Sequence, residues 1–416
     1  MAVALRARRL FDGRSEELLN DAVVLIEDER IAACGRNVAV PRAIEVIDLG
    51  DATLSPGFID AHTHLSIDPS NSYAQTLFDH FQREAPEQAF YAAANAQRTL
   101  HGGFTTVRDV GVLWGMDFVD VALRNAINKG LVVGPRMLVA VHLLGATGGH
   151  CDWTGGLRHN LIGRELGHAD GVIDGLDAAR RGVRLNVKHG ADVIKFCASG
   201  GVASLADEVD TPQLTFEEVT ALIDEAHRLR KKVATHCHGD RAAKDAIRAG
   251  VDSIEHGSFL QGETLEAMQQ QGTYLVPTLL VGHIMSRRLD QLPGAVAVKT
   301  KAVSEALGAM FQQAVQVGVK IGLGTDSGVF PHGRNAREFG LMVSHGLSPI
   351  RALKAGTSDN AELLGLSANL GTIEPGKLAD IVAMPGDPSQ NIRVTEQVFF
   401  VMKGGVIAKH APADIR

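Results

Sequence analysis

Two hydrophobic rhythms divide the chain. From residue 1 to about 53, apolar residues come in short runs broken by charged turns. Val23-Val24-Leu25-Ile26 leads into Glu27-Asp28-Glu29-Arg30, then come Ile31-Ala32-Ala33 and Ile44-Glu45-Val46-Ile47. The far end repeats the style, with Ala379 to Met384, Val398 to Met402 and Val406-Ile407-Ala408. Such runs predict short strands, and Lys403-Gly404-Gly405 between two of them predicts a hairpin. Neither end has a helical period or enough apolar surface for its own core. The economical arrangement pairs both ends in one small β-sandwich, residues 1–53 plus 368–416, with residues 54–367 inserted between them.

The inserted part alternates strand and helix. Strands are predicted at Gly57 to His64, Phe104 to Arg108, Arg136 to Val141 and Asp192 to Phe196. Four more follow at Val233 to His236, Ser253 to His256, Tyr274 to Thr278 and Lys320 to Asp326. The Ala-rich stretch Pro86 to Arg98 reads as a helix stopped by His101-Gly102-Gly103. In another, Thr215 with Glu218 forms a capping box, and Val219, Leu222, Ile223, Ala226 and Leu229 make one apolar stripe. Eight strands separated by helices are what a (β/α)₈ TIM barrel requires, giving an α/β fold.

Composition narrows the function. Hydrophobic residues at 45% and charged residues at 21% suit a soluble globular protein. A net charge of −7 and only 5% aromatic residues argue against a nucleic-acid surface or base-stacking platform. No stretch is long enough to span a bilayer, and the charges between Met1 and Leu10 occupy the place of a signal peptide's apolar run. The four cysteines, Cys34, Cys151, Cys197 and Cys237, show no Cys-x-x-Cys pairing. Free thiols and a cytoplasmic location are therefore expected.

The ionisable residues gather at the C-terminal ends of the predicted strands, the rim where barrel enzymes build their sites. His62 and His64 end the first, and one-residue spacing on a strand points both imidazoles the same way, toward one metal ion. Lys195 lies in the fourth, His236 ends the fifth, His256 the sixth and Asp326 the eighth. Plainer explanations stand beside these. Lys195 could be a buried lysine neutralised by Asp326, or an amine whose pKa burial lowers enough to capture carbon dioxide. Asp326 could cap a helix, or touch a metal and accept a proton. His238, just past His236, faces substrate or binds metal. His142, His150 in Thr147-Gly148-Gly149-His150, Trp153, His283, His332 and Arg334 fall in loops that carry either substrate contacts or ordinary surface polarity. Arg108 ends the second strand, where it could grip a substrate carboxylate or pair with a neighbouring acid. Cys197 and Cys237 flank candidate ligands without a base beside them and read as filler.

On Pro56 to His64, Thr105-Thr106-Val107-Arg108-Asp109, Ile194-Lys195-Phe196, Thr235 to Gly239, Ile254 to Gly257, Gly324-Thr325-Asp326 and the tail Gly371 to Asp380, the chain resembles the metal-dependent amidohydrolase superfamily nearly end to end. Thr147 to His150 and Gly333 to Phe339 resemble its branch of Xaa-Pro dipeptidases and related carboxypeptidases, which includes enzymes that split ochratoxin-like amides. The resemblance implies two divalent ions, zinc-like, bridged by carbamylated Lys195. His62, His64 and Asp326 would hold one and His236 and His256 the other, with a bridging hydroxide attacking the substrate and Asp326 taking a proton. It implies a small amide or dipeptide with a free C-terminal carboxylate, gripped by residues among His238, His150, Arg108, His142 and His332. It also implies a homo-oligomer with no nucleic-acid or membrane partner. A mononuclear deaminase or imidazolonepropionase-like enzyme is the alternative, but it would want a Glu where Gly239 stands and no Lys195. A non-catalytic scaffold on the same fold would have lost ligands, and none is missing.

Overall fold

The computed structural model describes residues 2–69, 73–112, 117–158 and 163–411. The chain begins with strands β1 (Ala2–Leu10), β2 (Leu19–Glu27), β3 (Arg30–Gly35), β4 (Glu45–Asp48) and β5 (Ala52–Pro56). Eight parallel strands follow: β6 (Phe58–Thr63), β7 (Phe104–Asp109), β8 (Arg136–Val139), β9 (Val193–Cys197), β10 (Lys232–Cys237), β11 (Ser253–His256), β12 (Tyr274–Val276) and β13 (Lys320–Ile321). β6 to β8 pair in sequence, as do β9 to β13. Two seams join these sets. Leu144 N–H donates to Lys195 O (3.0 Å) and Cys197 N–H to Leu144 O (2.9 Å) between β8 and β9. Ala61 N–H donates to Leu323 O (2.9 Å) and Asp326 N–H to His62 O (2.8 Å) between the segment after β13 and β6. The eight strands thus form a TIM barrel with helices in the intervening segments. β13 is shorter than the sequence suggests: its ladder to β12 ends at Ile321, and from Leu323 onward the backbone bonds to Ala61 and His62 of β6 instead.

The chain ends with β14 (Ile381–Pro385), β15 (Phe400–Lys403) and β16 (Val406–His410). They join the first five strands in one eight-stranded sheet, ordered β16-β15-β14-β5-β1-β2-β3 with β4 also on β1. β1 forks: Val3 to Arg6 pair with β4, Arg9 and Leu10 with β5. Leu5, Val24, Ile26 and Phe400 pack in one cluster while Ala4, Val23 and Leu25 pack in another. β2 is buried on both faces, hence its unbroken apolar run. Gly404 and Gly405 sit at φ 55° and 75°, the two left-handed positions of a two-residue hairpin. Thr215 and Glu218 cap Phe216–Arg228 reciprocally, as their spacing predicts.

Cys151 and Cys197 are joined in a disulfide, their Cα atoms 6.1 Å apart, which corrects the expectation of four free thiols. Cys34 and Cys237 remain free. The loop after β8 lies against the end of β9, so tertiary structure rather than spacing chose the partner. The cysteine-based argument for a reducing compartment loses its premise. No helix among the described residues is long and apolar enough to cross a membrane.

Candidate metal centre and its cavity

His62 and His64 leave the end of β6 with each Nε2 3.5 Å from the same Oδ1 of Asp326. One ligand atom from each of His62, His256 and Asp326 lies within 4.8 Å of the others. The His62 and His256 rings are 5.0 Å apart, and the His236 and His256 rings 4.6 Å. His256 and Asp326 are both left-handed, at φ 72° and 60°. Non-glycine residues reach that region at a cost, and such strain collects at functional sites. The next helix begins only at Arg337, so Asp326 caps none.

Each histidine has one nitrogen engaged and the other left for a ligand. His62 Nδ1 meets Glu255 Oε2 (2.8 Å), and His64 Nδ1 donates to Gly111 O (2.9 Å). His236 Nε2 donates to Gly200 O (3.1 Å), and His256 Nδ1 meets Thr278 Oγ1 (2.7 Å). Outer partners of this kind fix ring orientation and tautomer at metal sites, so the donor set fits a divalent cation. Burial holds His62, His236 and His256 well below the ordinary imidazole range and His64 down to about 4, keeping them neutral as ligands must be. Burial also lowers Lys195 to about 8 and raises Asp326 to about 7. No ion pair joins Lys195 to Asp326, and none is made by Lys195 among the described residues.

The inner layer of the barrel holds functional residues that sequence reasoning missed. Glu255 is fully buried and takes Arg108 Nη2 on Oε1 (2.7 Å) while its other oxygen meets His62. Arg108 also donates to Ala61 O (2.5 Å) and Ser253 Oγ (3.0 Å). Its guanidinium is thus spent on barrel groups, which corrects its assignment as a carboxylate grip. The signal was an acid inside a predicted strand, between Ile254 and His256. Asp60 is likewise buried and accepts from His62 N–H (3.0 Å), Thr325 Oγ1 (2.7 Å) and Asn335 Nδ2 (2.7 Å), tying β6 to the Asp326 turn.

Lys195, His62, His64, His236, His256 and Asp326 line one cavity of about 150 Å³ together with His150, His238 and Trp153. His238 Nδ1 meets Ser258 Oγ (2.9 Å), and its ring stacks on His256 at 5.0 Å. Ile67, Leu143, Val281, Met285, Val303 and Leu307 supply apolar wall. Two expected substrate contacts lie elsewhere. The His142 ring packs 5.3 Å from Phe118, drawn away by apolar burial. His332 bonds Ile67 O (2.9 Å) and lines a separate groove with Arg98 and Arg334.

The model of the amidohydrolase family matches residues 53–410. Ochratoxinase of Aspergillus niger is 31% identical, over 96% of this chain and 85% of its own length. A crystal structure of a Xaa-Pro dipeptidase with methionine bound in the active site superposes with TM-score 0.94 at 36% identity, covering 98% of this chain and all of that one. A prolidase crystallised with N-methylphosphonate-L-proline superposes with TM-score 0.88 at 29% identity, covering 99% and 100%.

Proposed function

From the premise that the chain belongs to the amidohydrolase family and hydrolyses amide bonds, we propose a binuclear, metal-dependent enzyme for small substrates with a free C-terminal carboxylate: dipeptides, N-acyl amino acids and ochratoxin-like amides. The observation that carries this reading is the meeting of six side chains from distant strands around one cavity. His62, His64 and Asp326 would hold one divalent ion, an imidazole and carboxylate set that suits zinc, and His236 and His256 the second. Bound there, such ions acidify water and polarise a carbonyl. Carbamylated Lys195 would lie between them. Its unpaired, buried amine, lowered to about 8, has a neutral fraction able to add carbon dioxide and release a proton. Asp326, its carboxylate 3.5 Å from both His62 and His64, would accept the attacking water's proton and pass it to the leaving amine. Apart from Lys195 and Asp326, the described lining carries no lysine, arginine or carboxylate. An apolar side chain, up to a phenyl ring in size, is favoured over a charged one.

Elemental analysis should return two divalent ions per chain, and a chelator should abolish turnover. A chromatographic screen of dipeptides and N-acyl amino acids should find apolar members cleaved first. Lys195→Ala should lose both metal and turnover; retention of both would remove the carbamate from the scheme.

A further inference from the structure

Apart from the metal-ligand set, the most heavily braced side chain at the cavity is His150. Its Nδ1 lies 3.0 Å from Ser204 Oγ, and that hydroxyl lies 2.5 Å from Asp207 Oδ1. Asp207 also accepts from Lys299 Nζ (2.8 Å), Gln213 Nε2 (2.7 Å) and Gly201 N–H (3.2 Å). Gln213 then returns to the same residue, its Oε1 accepting from the His150 backbone N–H (2.9 Å). A Cβ on Gly201 would stand 2.2 Å from Nδ1, and the His236 ring stacks on His150 at 4.2 Å. The next residue is Cys151, fixed to β9 by the disulfide. Lys299, on the distant helix Gly294–Val317, is 10% exposed and Asp207 only 6%. A buried ion pair seldom stabilises a fold better than apolar residues would, so this one calls for another use.

Counting protons supplies it. Asp207, facing a lysine and two N–H donors, accepts only. The single hydroxyl proton of Ser204 goes to it across the 2.5 Å contact, so the Ser204 oxygen must accept from His150. A neutral ring then carries its proton on Nδ1 and a lone pair on Nε2.

We propose that Ser204, Asp207 and Lys299 are positioning residues for His150, holding its Nδ1 as donor and leaving Nε2 as a hydrogen-bond acceptor for an N–H or ammonium group of the substrate. The proposal rests on the reading of this cavity as the hydrolytic site. It revises the expected role of His150: a neutral ring held this way does not grip a carboxylate.

The test uses zinc-loaded protein labelled with ¹⁵N-histidine, in long-range proton–nitrogen correlation spectra, with His150→Gln identifying the ring. The wild type should show a protonated Nδ1 and a bare Nε2. Ser204→Ala should move the ring toward the other tautomer at unchanged zinc content, and Ser204→Thr should restore it. Lys299→Met, which leaves the loop's hydroxyl in place, should shift the same signals and serves if Ser204→Ala does not fold. With a substrate from the screen, Ser204→Ala should lower kcat/KM about 10–100-fold, with Ser204→Thr recovering most of it. A wild-type ring protonated on Nε2, or signals indifferent to both variants, overturns the proposal. The spectra need no turnover, so absence of hydrolysis would count against the hydrolase reading alone.

Discussion

At the scale of single residues, Glu255 carries two duties through two oxygens. One balances the buried Arg108 and the other orients His62. Glu255→Gln would leave a guanidinium in the barrel with no anion, a loss of about 3–5 kcal/mol for a broken buried pair. It should also weaken metal affinity by about 10–100-fold, since a carboxylate behind a ligating histidine sharpens its basicity and aim. Thermal melting measures the first effect and competition with a chelator the second. A variant that melted normally and held metal as tightly would deny Glu255 both duties. Arg108 shows why sequence alone left two roles open. A buried arginine at a strand end looks the same whether its partner is a substrate or a neighbour on another strand.

At the scale of elements, local rules predicted what they govern. The capping box at Thr215 and the glycine pair at 404 and 405 were both legible because each depends on backbone geometry within a few residues. Thr215→Ala should cost about 1 kcal/mol, the usual worth of an N-cap. Gly405→Ala should cost more, because φ is 75° and the new Cβ would stand 1.9 Å from Asp28 O. Melting temperatures in the reverse order would show that the hairpin can shift to make room. By contrast, the end of β13 was not legible, since closure onto β6 rather than local propensity decides where it turns.

For the whole molecule, the ends of the chain are tied together electrostatically as well as by the shared sheet. Glu374 is held down to about 2, first by its hydrogen bond from Arg14 and then by Thr372 and Lys377. The ordinary value is 4.5, so the ionised group stabilises the fold above about pH 4.5, and that contribution is lost as pH falls toward 2. Melting curves of the wild type and Glu374→Gln should therefore converge as the pH drops through this window. Equal separation at every pH would place the stabilisation elsewhere. The disulfide makes a second prediction at this scale. Denatured without reductant, the protein should titrate two thiols, Cys34 and Cys237, and four after reduction. Finding four at the outset would return the chain to the free-thiol picture. Reduction should cost about 2–4 kcal/mol, from the loop that Cys151 and Cys197 close.

By itself the sequence determined the alternation of strand and helix, the two-ended sheet's apolar runs and the positions of His62, His64, His236 and His256 at or just past strand ends. These follow from side-chain period and turn chemistry, which act over a few residues. Tertiary structure alone decided that Arg108 answers Glu255, that Cys151 finds Cys197, that His142 and His332 lie away from the cavity, and that Lys299 reaches Asp207. Those pairings depend on how strands and loops remote along the chain approach once the barrel closes. Spacing carries no record of that approach, because a ring closure brings together residues whose separation in sequence is arbitrary.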